Sequence, residues 1–169
     1  MAKPRRKAEN TTAAQKKALK GARVVVVESR YYDDVAEALL IGAKRALDDA
    51  GVAYDIFDAP GALEIPTAIA IAVDAGKVAR KPYDGAVALG CVIRGETSHY
   101  DIVAGESAHA LMQYAINHRF PIGNAILTVD TDAQARRRAD PAKDDKGGGA
   151  ARAALSLIAL KRRLGSKKR

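Results

Sequence analysis

Four consecutive valines, Val24, Val25, Val26 and Val27, restrict what this chain can fold into more than any other feature. A strand wetted on one face alternates apolar with polar residues. An unbroken β-branched run instead suits a strand covered on both faces, the usual state of strands in a parallel sheet packed between helices. Residues 52–57, 85–89 and 121–129 are further apolar strand segments. Helical spacing fills the intervals between them. From Asp33, apolar residues recur at Val35, Leu39, Leu40, Ala43 and Leu47, and Gly51 ends the run. Pro66 introduces a helix over residues 67–78, with Gly76 and Pro82 at its exit. Residues 100–119, 131–139 and 149–164 form the remaining helices. The order β-α-β-α-β-α-β-α-α predicts an α/β fold with a four-stranded parallel sheet.

At 169 residues the chain fits one domain with a substantial core. Its residues are 48% hydrophobic but only 5% aromatic, without tryptophan, so the core must be built from Ala, Val, Leu and Ile. The single cysteine, Cys91, excludes an internal disulfide and a Cys-rich zinc site, and its apolar setting reads as a small core residue. No stretch has the length of a membrane span or the form of a signal peptide, so the cytoplasm is the expected compartment. The net charge of +8 suggests nucleic acid until it is divided along the chain. Residues 1–20 carry +6 and residues 161–169 another +6, leaving −4 for everything between. A folded nucleic-acid reader carries its basic face on the body. The expected organisation is a basic, disordered arm over 1–20, one domain over 21–160, and a basic tail over 161–169. An RNA-associated scaffold working through these ends is the competing reading, and nucleic acid is not the expected partner.

Ligands of parallel α/β sheets bind at the carboxyl ends of the strands. Four exits follow: residues 28–32, 59–64, 93–99 and 129–131. The third is the densest, with Arg94, Gly95, Glu96, Thr97, Ser98 and His99 in succession. Ser98 and Asp101 have capping-box spacing, which leaves Arg94, Gly95 and His99 unexplained. Gly95 ahead of a helix start lets backbone N–H groups approach an anion, and Thr97 adds a hydroxyl. Neither a P-loop nor a GxGxxG follows a strand, so a phosphate on a small substrate suits the loop better than a nucleotide. In the first helical turn the dipole favours neutral imidazole, so His99 is a candidate proton acceptor or else a surface histidine. Pro60 through Pro66 reads either as a turn with a helix start or as a cradle using Gly61, Ala62 and Glu64. Tyr31 and Tyr32 either stack on a planar ligand or staple the helix to the sheet. Arg136, Arg137 and Arg138 point in different directions around a helix, so most of the triplet is solvated. No residues have metal-ligand spacing, and no Ser/His/Asp order stands out.

Taken together, Pro60-Gly61-Ala62-Leu63-Glu64-Ile65-Pro66, the segment from Gly90 to Asp101, the segment from Pro121 to Ala135, and Lys146-Gly147 resemble the 6,7-dimethyl-8-ribityllumazine synthases of riboflavin biosynthesis. The resemblance spans about residues 22–160. It implies a flavodoxin-like three-layer α/β/α sandwich and condensation of 5-amino-6-(D-ribitylamino)uracil with 3,4-dihydroxy-2-butanone 4-phosphate, without metal or organic cofactor. By position, it implies that Tyr31 stacks on the pyrimidine, that Ala62 and Glu64 hold the ribityl chain with Leu63 also binding substrate, and that Val92 and Ile93 meet the ring. Gly95, Glu96 and Thr97 would cradle the butanone phosphate, His99 would transfer protons, and Arg138 would bind phosphate. Asn124, Arg138 and Lys146 would reach the site from a neighbouring subunit of a homo-oligomer. Asn124 stands where some members have Phe, Leu63 replaces a frequent Phe, and Tyr32 a frequent Asn. The link over residues 140–145 lacks a Gly-Thr-x-Ala-Gly-Asn-like motif seen in sixty-subunit members, which points to a pentamer. A non-catalytic flavin- or lumazine-binding relative is the alternative.

Overall fold

The computed structural model of the chain describes residues 12–165. In order these form α1 (Ala13–Leu19), β1 (Arg23–Ser29), α2 (Asp33–Ala50), β2 (Ala53–Ala59), α3 (Ile65–Val78), β3 (Gly85–Ile93), α4 (His99–His118), β4 (Ile122–Val129), α5 (Asp132–Ala139) and α6 (Lys146–Gly165). The four strands make one parallel sheet in the order β2-β1-β3-β4, the architecture of a flavodoxin-like sandwich.

The valine run divides between two cores. Val24 and Val26 join a cluster with residues of α2, α5 and α6, whereas Val25 and Val27 join one with residues of α3 and α4. All four are fully buried, as strand alternation in a doubly covered sheet requires. Central β3 follows the same rule, with Val87 and Leu89 in the first cluster and Ala86 and Ala88 in the second. Edge strand β2, which carries Asp55 and Asp58, is less covered than the central strands, leaving Ile56 and Phe57 partly in solvent.

Several boundaries differ from expectation, each for a physical reason. Helix α3 begins at Ile65, two residues early, because Pro66 is accommodated in the first turn, where its missing N–H costs nothing. Helix α6 begins at Lys146 and runs through Gly147, Gly148 and Gly149. A Cβ on Gly147 would collide with the Leu39 carbonyl of α2, so the glycine permits close helix packing instead of breaking the helix. The capping box at Ser98 does not form. Ser98 is itself in the right-handed helical conformation and makes no side-chain cap. A complete capping box occurs instead at Thr12 and Gln15. Within the arm expected to be disordered, residues 13–19 form α1, and within the expected tail α6 continues to Gly165. Residues 1–11 and 166–169 lie outside the described residues. Arg162 secures α1 by donating to the carbonyls of Ala18 and Lys20 and to Asp84.

Candidate active site

Three strand exits open into one cleft of about 340 Å³. From the β1 exit come Tyr31 and Tyr32, whose rings meet edge to face at 5.1 Å. Tyr31 is 75% exposed, while Tyr32 packs against the α2 side of the core. From the β2 exit come Gly61, Ala62, Leu63 and Glu64. Ala62 is buried, and the exposed Glu64 occupies the N-cap position of α3 without making a side-chain cap. Its carboxylate has no hydrogen-bond or ion-pair partner among the described residues. From the β3 exit come the half-buried Val92 and Ile93, then Gly95, Thr97 and His99 at the start of α4.

The loop after β3 is held from below. Arg94 donates from its backbone N–H to the Val129 carbonyl at 2.9 Å. Its guanidinium donates to Asp130 at 3.2 Å, reaches Asp101 at 3.5 Å, and lies 4.0 Å from the Tyr100 ring centroid. These ion pairs are exposed, each contributing about 0.2–1 kcal/mol, but together they tie the loop to β4 and to the first turn of α4. The arginine that capping left unexplained is therefore a strap and not part of the cleft lining. Thr97 Oγ1 accepts the His99 backbone N–H at 3.4 Å. A Cβ placed on Gly95 would meet no atom of the chain within 4 Å, and its φ is not left-handed. Neither packing nor backbone geometry demands glycine there. Gly95 thus stands open ahead of the α4 N-terminus, whose dipole favours an anion.

Tyr31, Ala62, Leu63, Glu64, Val92, Ile93, Gly95, Thr97 and His99 thus share one cleft. Glu96, between Gly95 and Thr97, is exposed beside it. Asn124, Arg138 and Lys146 do not line the cleft of their own chain. Asn124 is exposed on β4, its Oδ1 accepting the Ile126 N–H at 2.8 Å, in a shallow groove beside α4. Arg138 lies on α5, with Nη1 near the Gln134 carbonyl, and Lys146 is exposed at the start of α6. Within the triplet, Arg136 pairs with Asp132 and Asp34, and Arg137 with Asp144. The fourth exit, over residues 129–131, lies outside the cleft: Asp130 anchors Arg94, and Thr131 caps α5 by accepting the Gln134 N–H. The cleft also takes Tyr100 and Val103, which sequence reasoning missed. Val103 follows His99 by four residues, so helical periodicity alone would have put both on one face. Cys91 touches the cleft, but burial pushes its thiol up to about 12, with the Asp132 and Asp34 carboxylates adding to the shift. Among the described residues no three His, Cys, Asp or Glu side chains group as metal ligands.

Comparison with known proteins places these residues in context. Residues 21–162 match the family profile described as 6,7-dimethyl-8-ribityllumazine synthase. A protein of that name from Methylorubrum populi is 62% identical over 144 residues, 85% of this chain and 85% of its own. One from Methylocella silvestris is 60% identical over 146 residues, 86% of this chain and 89% of its own. One from Afipia carboxidovorans is 55% identical over 164 residues, 97% of this chain and 98% of its own.

Proposed function

The chain belongs to the 6,7-dimethyl-8-ribityllumazine synthase family, and from that premise we propose how its cleft divides the work of the reaction. The enzyme condenses 5-amino-6-(D-ribitylamino)uracil with 3,4-dihydroxy-2-butanone 4-phosphate, giving 6,7-dimethyl-8-ribityllumazine, phosphate and water, the penultimate step of riboflavin biosynthesis. Tyr31 stacks on the pyrimidine, and backbone groups of Val92 and Ile93 meet its edge. Ala62, Leu63 and the carboxylate of Glu64 receive the ribityl chain. Gly95, Glu96 and Thr97 hold the phosphate at the α4 N-terminus. The observation that carries this reading is that Tyr31, Glu64, Gly95, Thr97 and His99, from three separate strand exits, line one cleft.

The amine of the uracil condenses with the ketone, phosphate leaves, and the ring closes. Both reactants are intrinsically reactive, so proximity and orientation supply most of the acceleration. His99 relays protons at the reacting centre, while Arg138 of a neighbouring subunit and the helix N-terminus stabilise the departing phosphate. The working form is a homopentamer whose neighbouring subunits bring Asn124, Arg138 and Lys146 to each cleft. Support comes from the position of all three outside their own cleft. It comes also from one stripe of α4 that leaves Ile102, Met112 and Ile116 exposed. Among the described residues no helix is long and apolar enough to cross a membrane, and a single unpaired cysteine suits the reducing cytoplasm, where we place the enzyme.

The test follows lumazine absorbance with both substrates. His99→Ala should slow turnover roughly 10- to 100-fold without abolishing it, as expected for a proton relay in a reaction driven largely by proximity. Arg138→Ala should raise the butanone-phosphate KM about tenfold or more through the lost charge-assisted contact. An unchanged phosphate-substrate KM would remove Arg138 from its assignment, and absence of lumazine formation by the native protein would overturn the reading as a whole.

A further inference from the structure

The three residues joining β1 to α2, Arg30, Tyr31 and Tyr32, bring two adjacent aromatic rings to the cleft, so whatever fixes this link fixes that wall. The usual device is missing: Tyr32 is the N-cap of α2 and makes no side-chain hydrogen bond to it. What spans the link is Arg30. Its Nη1 donates to Glu28 Oε1 at 3.1 Å, its Nε to Asp33 Oδ1 at 3.1 Å, and its Nη2 to Glu37 Oε2 at 3.3 Å. One planar guanidinium therefore grips the end of β1 and the first two turns of α2 at once. The Glu28 end of the grip is costly. That side chain is only 3% exposed, and its Oε2 has no hydrogen-bond partner. Burial raises the Glu28 carboxyl above its usual range; the Arg30 hydrogen bond and charge oppose that shift, and the Asp58 and Glu37 carboxylates reinforce it. A half-satisfied buried acid weakens a fold. Val24 and Val26 face the same side of the sheet, so packing there is met by an apolar residue. Glutamate at position 28 makes sense through what it does to Arg30.

We propose that Arg30, gripped by the buried carboxylate of Glu28, is the positioning residue of the Tyr31–Tyr32 wall and thereby sets affinity for the pyrimidine substrate. The inference rests on the assignment of Tyr31 to the pyrimidine ring. In Arg30→Lys, which keeps the charge but loses the fork, and in Glu28→Gln, the KM for the ribitylaminouracil should rise about fivefold or more. The KM for the butanone phosphate and kcat at saturation should stay within about twofold. On a Tyr31→Ala background, Arg30→Lys should have no further effect, because it acts through that ring. Glu28→Gln should melt no lower than the native protein at neutral pH, which a purely structural residue would not allow. The folded pKa of Glu28 is raised, so its favourable contribution is complete below the unfolded value and lost as pH rises through the folded one. The melting advantage of Glu28→Gln should accordingly widen with pH above 4.5. Hydrogen exchange supplies a readout that needs no substrate: Arg30→Lys should speed exchange at residues 31–36. Faster exchange there without a change in pyrimidine KM would uphold the clamp and discard the Tyr31 assignment, and with it the inferred effect on affinity. Unchanged exchange, equal loss toward both substrates, or an undiminished effect in Tyr31→Ala would overturn the clamp.

Discussion

Cys91 and His99 show how little a residue's type says without its surroundings. A thiol at the rim of a cleft invites a nucleophilic role, but desolvation pushes this one up to about 12, so almost none is thiolate near neutrality. An aromatic disulfide reagent, which releases one aryl thiolate per thiol labelled, should label native Cys91 at pH 8 at least about a hundredfold more slowly than free cysteine, whose thiol titrates near 8.5. The rate should climb with pH, and labelling as fast as free cysteine would mean the thiol is not desolvated. The sequence placed Cys91 with the core for its apolar neighbours, and it does pack against that core. For His99 the sequence left two readings level, because a histidine one turn into a helix points toward ligand or solvent according to the path of the preceding loop. That path is set by Arg94, through partners 7 and 36 residues away, beyond the reach of local pattern.

At the scale of elements, helix α6 is the informative case. Its glycines look like a break in sequence, and the helix was expected to begin only at Gly149. Close packing on α2 reverses that meaning at Gly147 but not at Gly149, where a Cβ would meet nothing within 4 Å. Gly147→Ala should therefore destabilise the fold by about 1–3 kcal/mol through forced displacement against the Leu39 carbonyl. Gly149→Ala should stabilise it by about 0.5–1 kcal/mol through helix propensity. Urea unfolding of the two variants beside the native protein measures both shifts; equal changes would refute the difference in packing. The first shift also disturbs Lys146, the residue that α6 would present to a neighbouring cleft.

For the whole molecule, the apolar surface left open is as telling as the core. Ile102, Met112 and Ile116 fall on one stripe of α4 and stand more than half exposed, and Phe57 on edge strand β2 is nearly so. Exposed apolar side chains in such an array suit a surface that the proposed assembly would cover. Sedimentation equilibrium should give a mass about five times the 17.9 kDa of one chain. A Met112→Glu/Ile116→Glu double variant should shift it toward the monomer, since it buries charge in an apolar contact. Because residues of the cleft are expected from a neighbour, activity should fall with the assembly. A monomeric native protein with full activity would refute that arrangement.

By itself the sequence determined the class of fold, because a run such as Val24 to Val27 is stable only between two apolar layers and period-3.6 segments of matching length supply them. It pointed equally to the strand exits, since Arg94 through His99 concentrates charge, hydroxyls and a glycine where a sheet opens, and a cleft does open there. By resemblance it also named the positions expected at the site, of which Tyr31, Ala62, Leu63, Glu64, Val92, Ile93, Gly95, Thr97 and His99 share the cleft. Tertiary structure alone decided which exits meet: three of the four enter the cleft, and the fourth became the anchor of Arg94. It alone gave Glu28 and Arg30 their pairing, put Tyr100 and Val103 on the cleft, and left Asn124, Arg138 and Lys146 outside it. Those outcomes depend on contacts between segments far apart in the chain, where local periodicity has no force and only packing in three dimensions selects the neighbours.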